Sequence, residues 1–186
     1  VLLATLMMVA CTTGLTPEAY REWVKSPENG LRVRKEANGI LLDWQYQPVD
    51  LMLLNRGLRG GEAVTDSLRR DMAVVQYYQL TLRTKDGAEI LPRFGTSVEE
   101  KQRTQYYFSY LLERDVVLEE QEQKLPCVLY HFDKSGSDNT TLTCLLGFEN
   151  LFPASESSTV IINSPYISSL PIKFTIFKNN IPSLKL

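Results

Sequence analysis

The chain has 186 residues, 44% of them hydrophobic, with a formal charge of −2 and a single histidine. That apolar share is too high for a disordered segment, the charge leaves no electrostatic footprint for nucleic acid, and one histidine leaves a transition-metal site short of ligands. The length fits one domain better than two.

Residues 1–10 carry no charge and no helix breaker, and they lead into Cys11 followed by the small, polar Thr12-Thr13-Gly14. The segment Met8-Val9-Ala10-Cys11 resembles the lipobox of a bacterial lipoprotein precursor. In such a precursor, signal peptidase cuts before the cysteine and the thiol carries a diacylglyceryl group. Met8 stands where leucine is usual. The chain opens on Val1 without the basic residues that normally precede the apolar run, so we read the leader as N-terminally truncated. The resemblance implies a signal-peptide remnant over 1–10, a lipidated Cys11 with a short tether over 11–16, and one domain over 17–186. An ordinary secretory signal is the first alternative, although Met8 is bulky for a cut after Ala10. A transmembrane helix is the second, although ten residues fall short of the roughly 20 needed to span a bilayer.

A lipidated cysteine carrying two or more acyl chains, palmitate among them, gives firm attachment at about 0.8 kcal/mol per buried CH₂. Thr16 is five residues on from Cys11, a reach of roughly 17 Å at full stretch. No aspartate or acidic run follows the cysteine. By the sorting rules of this class, that implies an outer-membrane protein facing the periplasm.

Thr16 predicts a helix cap, with Pro17 at the first helical position and Glu18 complementing the dipole. Asn38-Gly39 predicts a hairpin with a type I′ turn. Centring on that pair sets Val33 against Trp44, Leu31 against Tyr46 and Lys35 against Leu42. The other face then carries Arg32, Arg34 and Glu36 against Gln45, Asp43 and Leu41, so one side is mostly apolar and the other mostly polar. Further on, Asn55-Arg56-Gly57-Leu58-Arg59-Gly60-Gly61 offers Arg56 and Arg59 as contacts for an anion or lipid headgroup, against the alternative of solvated loop arginines.

Asp86-Gly87 suggests a second hairpin joining 72–84 to 88–91. Ser97 and Glu100 form a capping box ahead of a helix over 98–114. Its aromatic stripe, Tyr106-Tyr107-Phe108 with Tyr110, predicts core packing, with ligand binding as the alternative. Glu119-Glu120-Gln121-Glu122-Gln123-Lys124 reads as a solvated connection, or else an acidic partner surface. Strands over 127–132 and 141–148 flank a polar loop whose oxygen ligands only faintly suggest calcium. With the loop centred between Ser135 and Gly136, Cys127 faces Cys144 and a disulfide becomes possible, contributing about 3 kcal/mol. Two buried free thiols are the alternative. The low-charge tail adds strands over 159–162 and 172–177, punctuated by Pro165, Pro171 and Pro182.

Together these elements predict an α+β fold: a mostly antiparallel sheet, sandwich-like or a partly open barrel, with a few helices packed on one face. No motif for a catalytic residue, cofactor or metal is found. His131 lies four strand residues, roughly 13 Å, from Cys127, too far for a nucleophile–base pair. The expectation is a membrane-anchored envelope lipoprotein, non-catalytic, binding or scaffolding another envelope protein through a sheet edge or an aromatic surface. Two alternatives remain open: a carrier of a lipid or apolar ligand, and an envelope hydrolase using scattered carboxylates such as Asp43 and Asp50.

Overall fold

The computed structural model describes residues 14–56, 66–133 and 140–185. Among the described residues, eight antiparallel strands form one sheet in the order β1-β2-β3-β6-β5-β4-β7-β8. They are β1 (Arg32–Ala37), β2 (Ile40–Gln47), β3 (Val75–Thr84), β4 (Val116–Glu120), β5 (Gln123–Asp133), β6 (Thr141–Glu149), β7 (Ser157–Ile162) and β8 (Ile172–Phe177). Four α-helices accompany them among the described residues: α1 (Pro17–Lys25), α2 (Val49–Asn55), α3 (Asp66–Met72) and α4 (Val98–Tyr110). This is an α+β fold built as a partly open barrel. The first and last strands approach each other at Gly30, whose carbonyl accepts from the Phe177 N–H at 3.1 Å. Gly30 has φ 77°, and a Cβ there would lie 3.0 Å from that of Phe177, so glycine permits this closure.

The Asn38-Gly39 hairpin forms in the predicted register, Val33 opposite Trp44 and Lys35 opposite Leu42, with Leu31 bonded to Tyr46. Its apolar face enters the barrel, where Phe174, Trp44, Tyr78 and Phe148 are fully buried with ring centroids 5.7–6.0 Å apart in successive pairs. These rings fill the space beneath the sheet. α1 packs across the hairpin: Gln45 donates to the Val24 carbonyl at 3.3 Å, and Tyr20 and Val24 join the core. Thr16 and Ser97 cap α1 and α4 as the sequence predicts, the latter with the full capping box to Glu100.

Four expectations are corrected. First, Asp86-Gly87 turns the chain, but 88–91 form no strand. Both edges of β3 are already paired, to β2 and β6, and Pro92 lacks an N–H for a further ladder. Second, α4 ends at Tyr110, and Leu112–Asp115 continues as a 3₁₀ turn. Third, within 119–124 only 121–124 are exposed as a solvated connection would be, whereas Glu120 is buried and the segment is paired. It is the tip of a β4–β5 hairpin, with Gln121 and Glu122 both at positive φ, 46° and 65°. Fourth, Cys127 faces Phe148, Cys144 faces Phe132, and both thiols are free. The register is set by a bulge between Cys127 and Leu129 and by Gly147 opposite Leu129. A Cβ on Gly147 would lie 2.8 Å from Val75 Cγ1 and 2.9 Å from Leu129 Cβ, so only glycine fits between those two strands. Four ladder positions, Phe148 to Cys144, then separate the cysteines along β6, roughly 13 Å, beyond disulfide reach.

Candidate functional site

β5 changes partners along its length. Its first residues, Gln123 to Pro126, pair with β4, whereas Cys127 to Asp133 pair with β6 alone among the described residues. The second half therefore has one edge without a strand neighbour, and α4 lies alongside it. Tyr130 fixes the two elements together. Its hydroxyl donates to the Phe108 carbonyl at the end of α4 and sits 3.1 Å from Cys144 Sγ. On the far side of the helix, the Tyr107 hydroxyl lies 2.6 Å from Asp115 Oδ2 and 2.7 Å from Ser164 Oγ. Phe108 packs against Phe94 at 4.9 Å between ring centroids.

A groove of about 310 Å³ runs between helix and strand edge, lined by Ser109, Tyr110, Glu113, Tyr130, His131 and Phe132. The aromatic stripe of α4 thus divides. Tyr107 and Phe108 are buried, while Tyr106 and Tyr110 are more than half exposed, with rings 5.3 Å apart. Val128 and Leu129, at the bulge, are exposed on the strand side. Ser109 is 6% exposed and its hydroxyl has no hydrogen-bond partner.

The groove brings together Ser109, Glu113 and the single histidine, an association no local motif reveals. The Ser109 hydroxyl is not hydrogen-bonded to the imidazole. The nearby thiols are not nucleophiles: burial pushes Cys127 up and Cys144 up to about 12, so both stay protonated at neutral pH. What the groove offers is a strand edge, exposed aromatic surface and a buried hydroxyl seeking a partner.

The scattered carboxylates are engaged elsewhere. Asp43 lies on the outer face of β2, accepting from Arg32 Nε at 2.7 Å and Arg34 Nε at 2.8 Å. Burial pushes its pKa up, but the two guanidinium groups outweigh that and hold the carboxyl below its usual range. Asp50 faces Arg69 at 3.0 Å. Arg56 is exposed, with Nη1 4.0 Å from Met72 Sδ. Arg59 and Cys11 lie outside the described residues, as does the 134–139 loop. No group of three His, Cys, Asp or Glu residues suited to a metal ion occurs among the described residues, and no helix among them is long and apolar enough to cross a membrane.

A second polar cluster lies inside the barrel, at the end of β4. Glu120 is sealed from solvent and forms an ion pair with Lys178, whose side chain is 9% exposed. Gln76 Nε2 donates to Glu120 Oε2 at 2.9 Å and to the Glu149 carbonyl at 3.2 Å. Its Oε1 accepts from the Tyr78 hydroxyl at 2.9 Å and from Lys178 Nζ at 3.2 Å. Tyr78 also lies 2.8 Å from Ser158 Oγ. Sequence reasoning places Glu120 in solvent because its neighbours are charged. The usable signal was the alternation of Val116, Leu118 and Glu120 on one strand face.

No family model matches this chain, and neither a curated protein nor a solved structure matches it at a significant level.

Proposed function

We propose that the protein is a membrane-anchored envelope lipoprotein whose domain binds or scaffolds another envelope protein, without catalysing a reaction. Attachment rests on the lipobox-like Met8-Val9-Ala10-Cys11, and the short tether would hold the domain near the outer membrane on its periplasmic side. The observation that carries the binding role is the β5 edge over 127–133, which lacks a strand neighbour among the described residues and runs beside the exposed rings of Tyr106 and Tyr110. An extended segment of a partner could add to that edge through backbone hydrogen bonds, placing an apolar side chain between the tyrosines and a polar group at Ser109. The rings that fill the barrel weigh against a ligand carrier. The arginine partners of Asp43 and Asp50 weigh against a carboxylate hydrolase.

The test purifies full-length protein from detergent-solubilised native membranes beside Cys11→Ser and a Tyr106→Ser/Tyr110→Ser variant, with crosslinking to map contacts. The expected result is a partner in comparable amount, crosslinked to residues 106–113 or 128–132, and lost from the double tyrosine variant at unchanged thermal stability. Recovery from Cys11→Ser should fall because its membrane attachment is gone. A partner that survives loss of both tyrosines, or crosslinks only elsewhere, would remove the groove from this role.

A further inference from the structure

The interior cluster of Lys178, Gln76 and Glu120 has more order than an ion pair requires. An amine donor, a carboxamide and a carboxylate touch one another pairwise: Lys178 Nζ with Gln76 Oε1 at 3.2 Å, Gln76 Nε2 with Glu120 Oε2 at 2.9 Å, and Lys178 with Glu120. Gln76 is 2% exposed, and all its polar valences are directed. Its carbonyl oxygen holds the Tyr78 hydroxyl and its amide nitrogen is bonded to the carboxylate. The site is walled by buried rings, including Tyr78 and Phe148, and Lys178 Nζ lies 5.9 Å from the centroid of Tyr46. Each group therefore stands where amide exchange needs it: a nucleophile beside a carbonyl, a proton acceptor on the nucleophile, a proton donor on the leaving nitrogen, and a hydroxyl on the developing oxyanion.

We propose that Lys178 and Gln76 join through an intramolecular isopeptide bond, with Glu120 as the proton carrier. Glu120 removes one proton from the Lys178 ammonium, and the freed Nζ lone pair attacks Gln76 Cδ. The carbonyl electrons move to Oε1, where the Tyr78 hydroxyl stabilises them. As they return, the Cδ–Nε2 bond breaks. Glu120 passes its proton to the departing nitrogen, which leaves as ammonia, and takes the second proton from Nζ. Of the three ammonium protons, one leaves with ammonia, one ends on Glu120 and one stays in the new amide. One C–N bond forms and one breaks, so no oxidant or energy source enters. The buried ammonium–carboxylate pair becomes a neutral amide and a neutral acid, which removes the cost of holding two charges inside a barrel. Burial keeps the Tyr78 hydroxyl protonated throughout, since its pKa lies well above the ordinary value.

The bond would have a clear structural consequence. β8 lies at one end of the sheet and, among the described residues, is paired as a strand only with β7. Lys178 follows it directly, and Gln76 lies in β3 near the sheet centre, 102 residues away in sequence. A covalent link there would fasten the last strand across the barrel and restrict the unfolded chain as a long-loop crosslink does.

The experiment is a tryptic digest of the folded, full-length protein after denaturation, read by tandem mass spectrometry. An acylated Lys178 resists cleavage, so the expected product is peptide 71–83 joined to peptide 174–185, lighter by one ammonia than their sum, in place of the linear forms. The Glu120→Gln variant, checked for a cooperative unfolding transition, should yield linear 71–83 and 174–178. Linear peptides in full yield from folded wild-type protein would overturn the proposal, and this readout needs no variant. A linked peptide formed equally well by Glu120→Gln would overturn the role given to Glu120.

Discussion

Asp43 and Glu120 are both buried carboxylates paired with cations, yet they sit on opposite faces of the same sheet wall. Asp43 points outward from β2 and is covered by Arg32 and Arg34, whose side chains are 23% and 53% exposed. Glu120 points inward from β4 and meets Lys178 and Gln76, which solvent barely reaches. Water screens the first site and remains available to its arginines if the carboxylate is lost. The second has no such recourse, because any charge left unmatched there stays in a low-dielectric interior. Burial alone therefore does not rank the two. The exposure of the partners does.

The largest effect should come from breaking the inner site. Glu120→Ala strands the Lys178 ammonium and should cost about 3–5 kcal/mol, measured by urea denaturation. The double change Glu120→Leu/Lys178→Met should recover the share of that loss that comes from the stranded charge, while the share contributed by a Lys178–Gln76 bond stays lost. Equal costs for the single and double variants would show that packing or the Lys178–Gln76 bond, not the stranded charge, governs the site.

The outer site should respond less and with a definite pH signature. Asp43→Asn should cost about 1.5 kcal/mol at pH 7, reduced from a fully buried value because Arg34 is largely solvated. The folded carboxyl has a lowered pKa, so its stabilisation is complete above the unfolded value of about 3.9 and disappears as pH falls through the folded one. Stability curves of the wild type and Asp43→Asn should therefore converge below pH 4. Parallel curves down to pH 2 would assign the lowered pKa to other groups.

The smallest expected effect comes from the turn that delivers Glu120 to the interior. Gln121 and Glu122 occupy left-handed backbone without being glycine or asparagine. Glu122→Gly should relieve that strain and raise the thermal midpoint, by the equivalent of about 0.5–1 kcal/mol. A fall instead would mean that the Glu122 side chain contributes more than the backbone strain removes.

The two hairpins show why part of the fold could be read from sequence and part could not. Asn38-Gly39 is a turn whose chemistry is local, and the residues flanking it alternate cleanly, so turn and register agree. The Gln121-Glu122 turn adopts the same backbone region with residues that do not advertise it, among charges that imitate a solvated loop. The β5–β6 register fails for a related reason: it depends on the Gly147 contact with Val75, from a third strand, and on a bulge beyond Cys127. The candidate groove was legible only in pieces. The α4 capping box and aromatic stripe are local patterns, but the division of that stripe into buried and exposed rings depends on where β5 passes.

The amino-acid sequence by itself determined the α+β class, the first hairpin with its register, the caps of α1 and α4 and the two late strands. All of these follow from periodicity, turn residues and hydrogen bonds that act within a few residues. Only the tertiary structure decided which strand edge lacks a partner, which carboxylates are matched with arginine, and that Gln76, Glu120 and Lys178 meet. Those outcomes join residues up to 102 positions apart, and their geometry is set by how a twisted sheet curls toward closure.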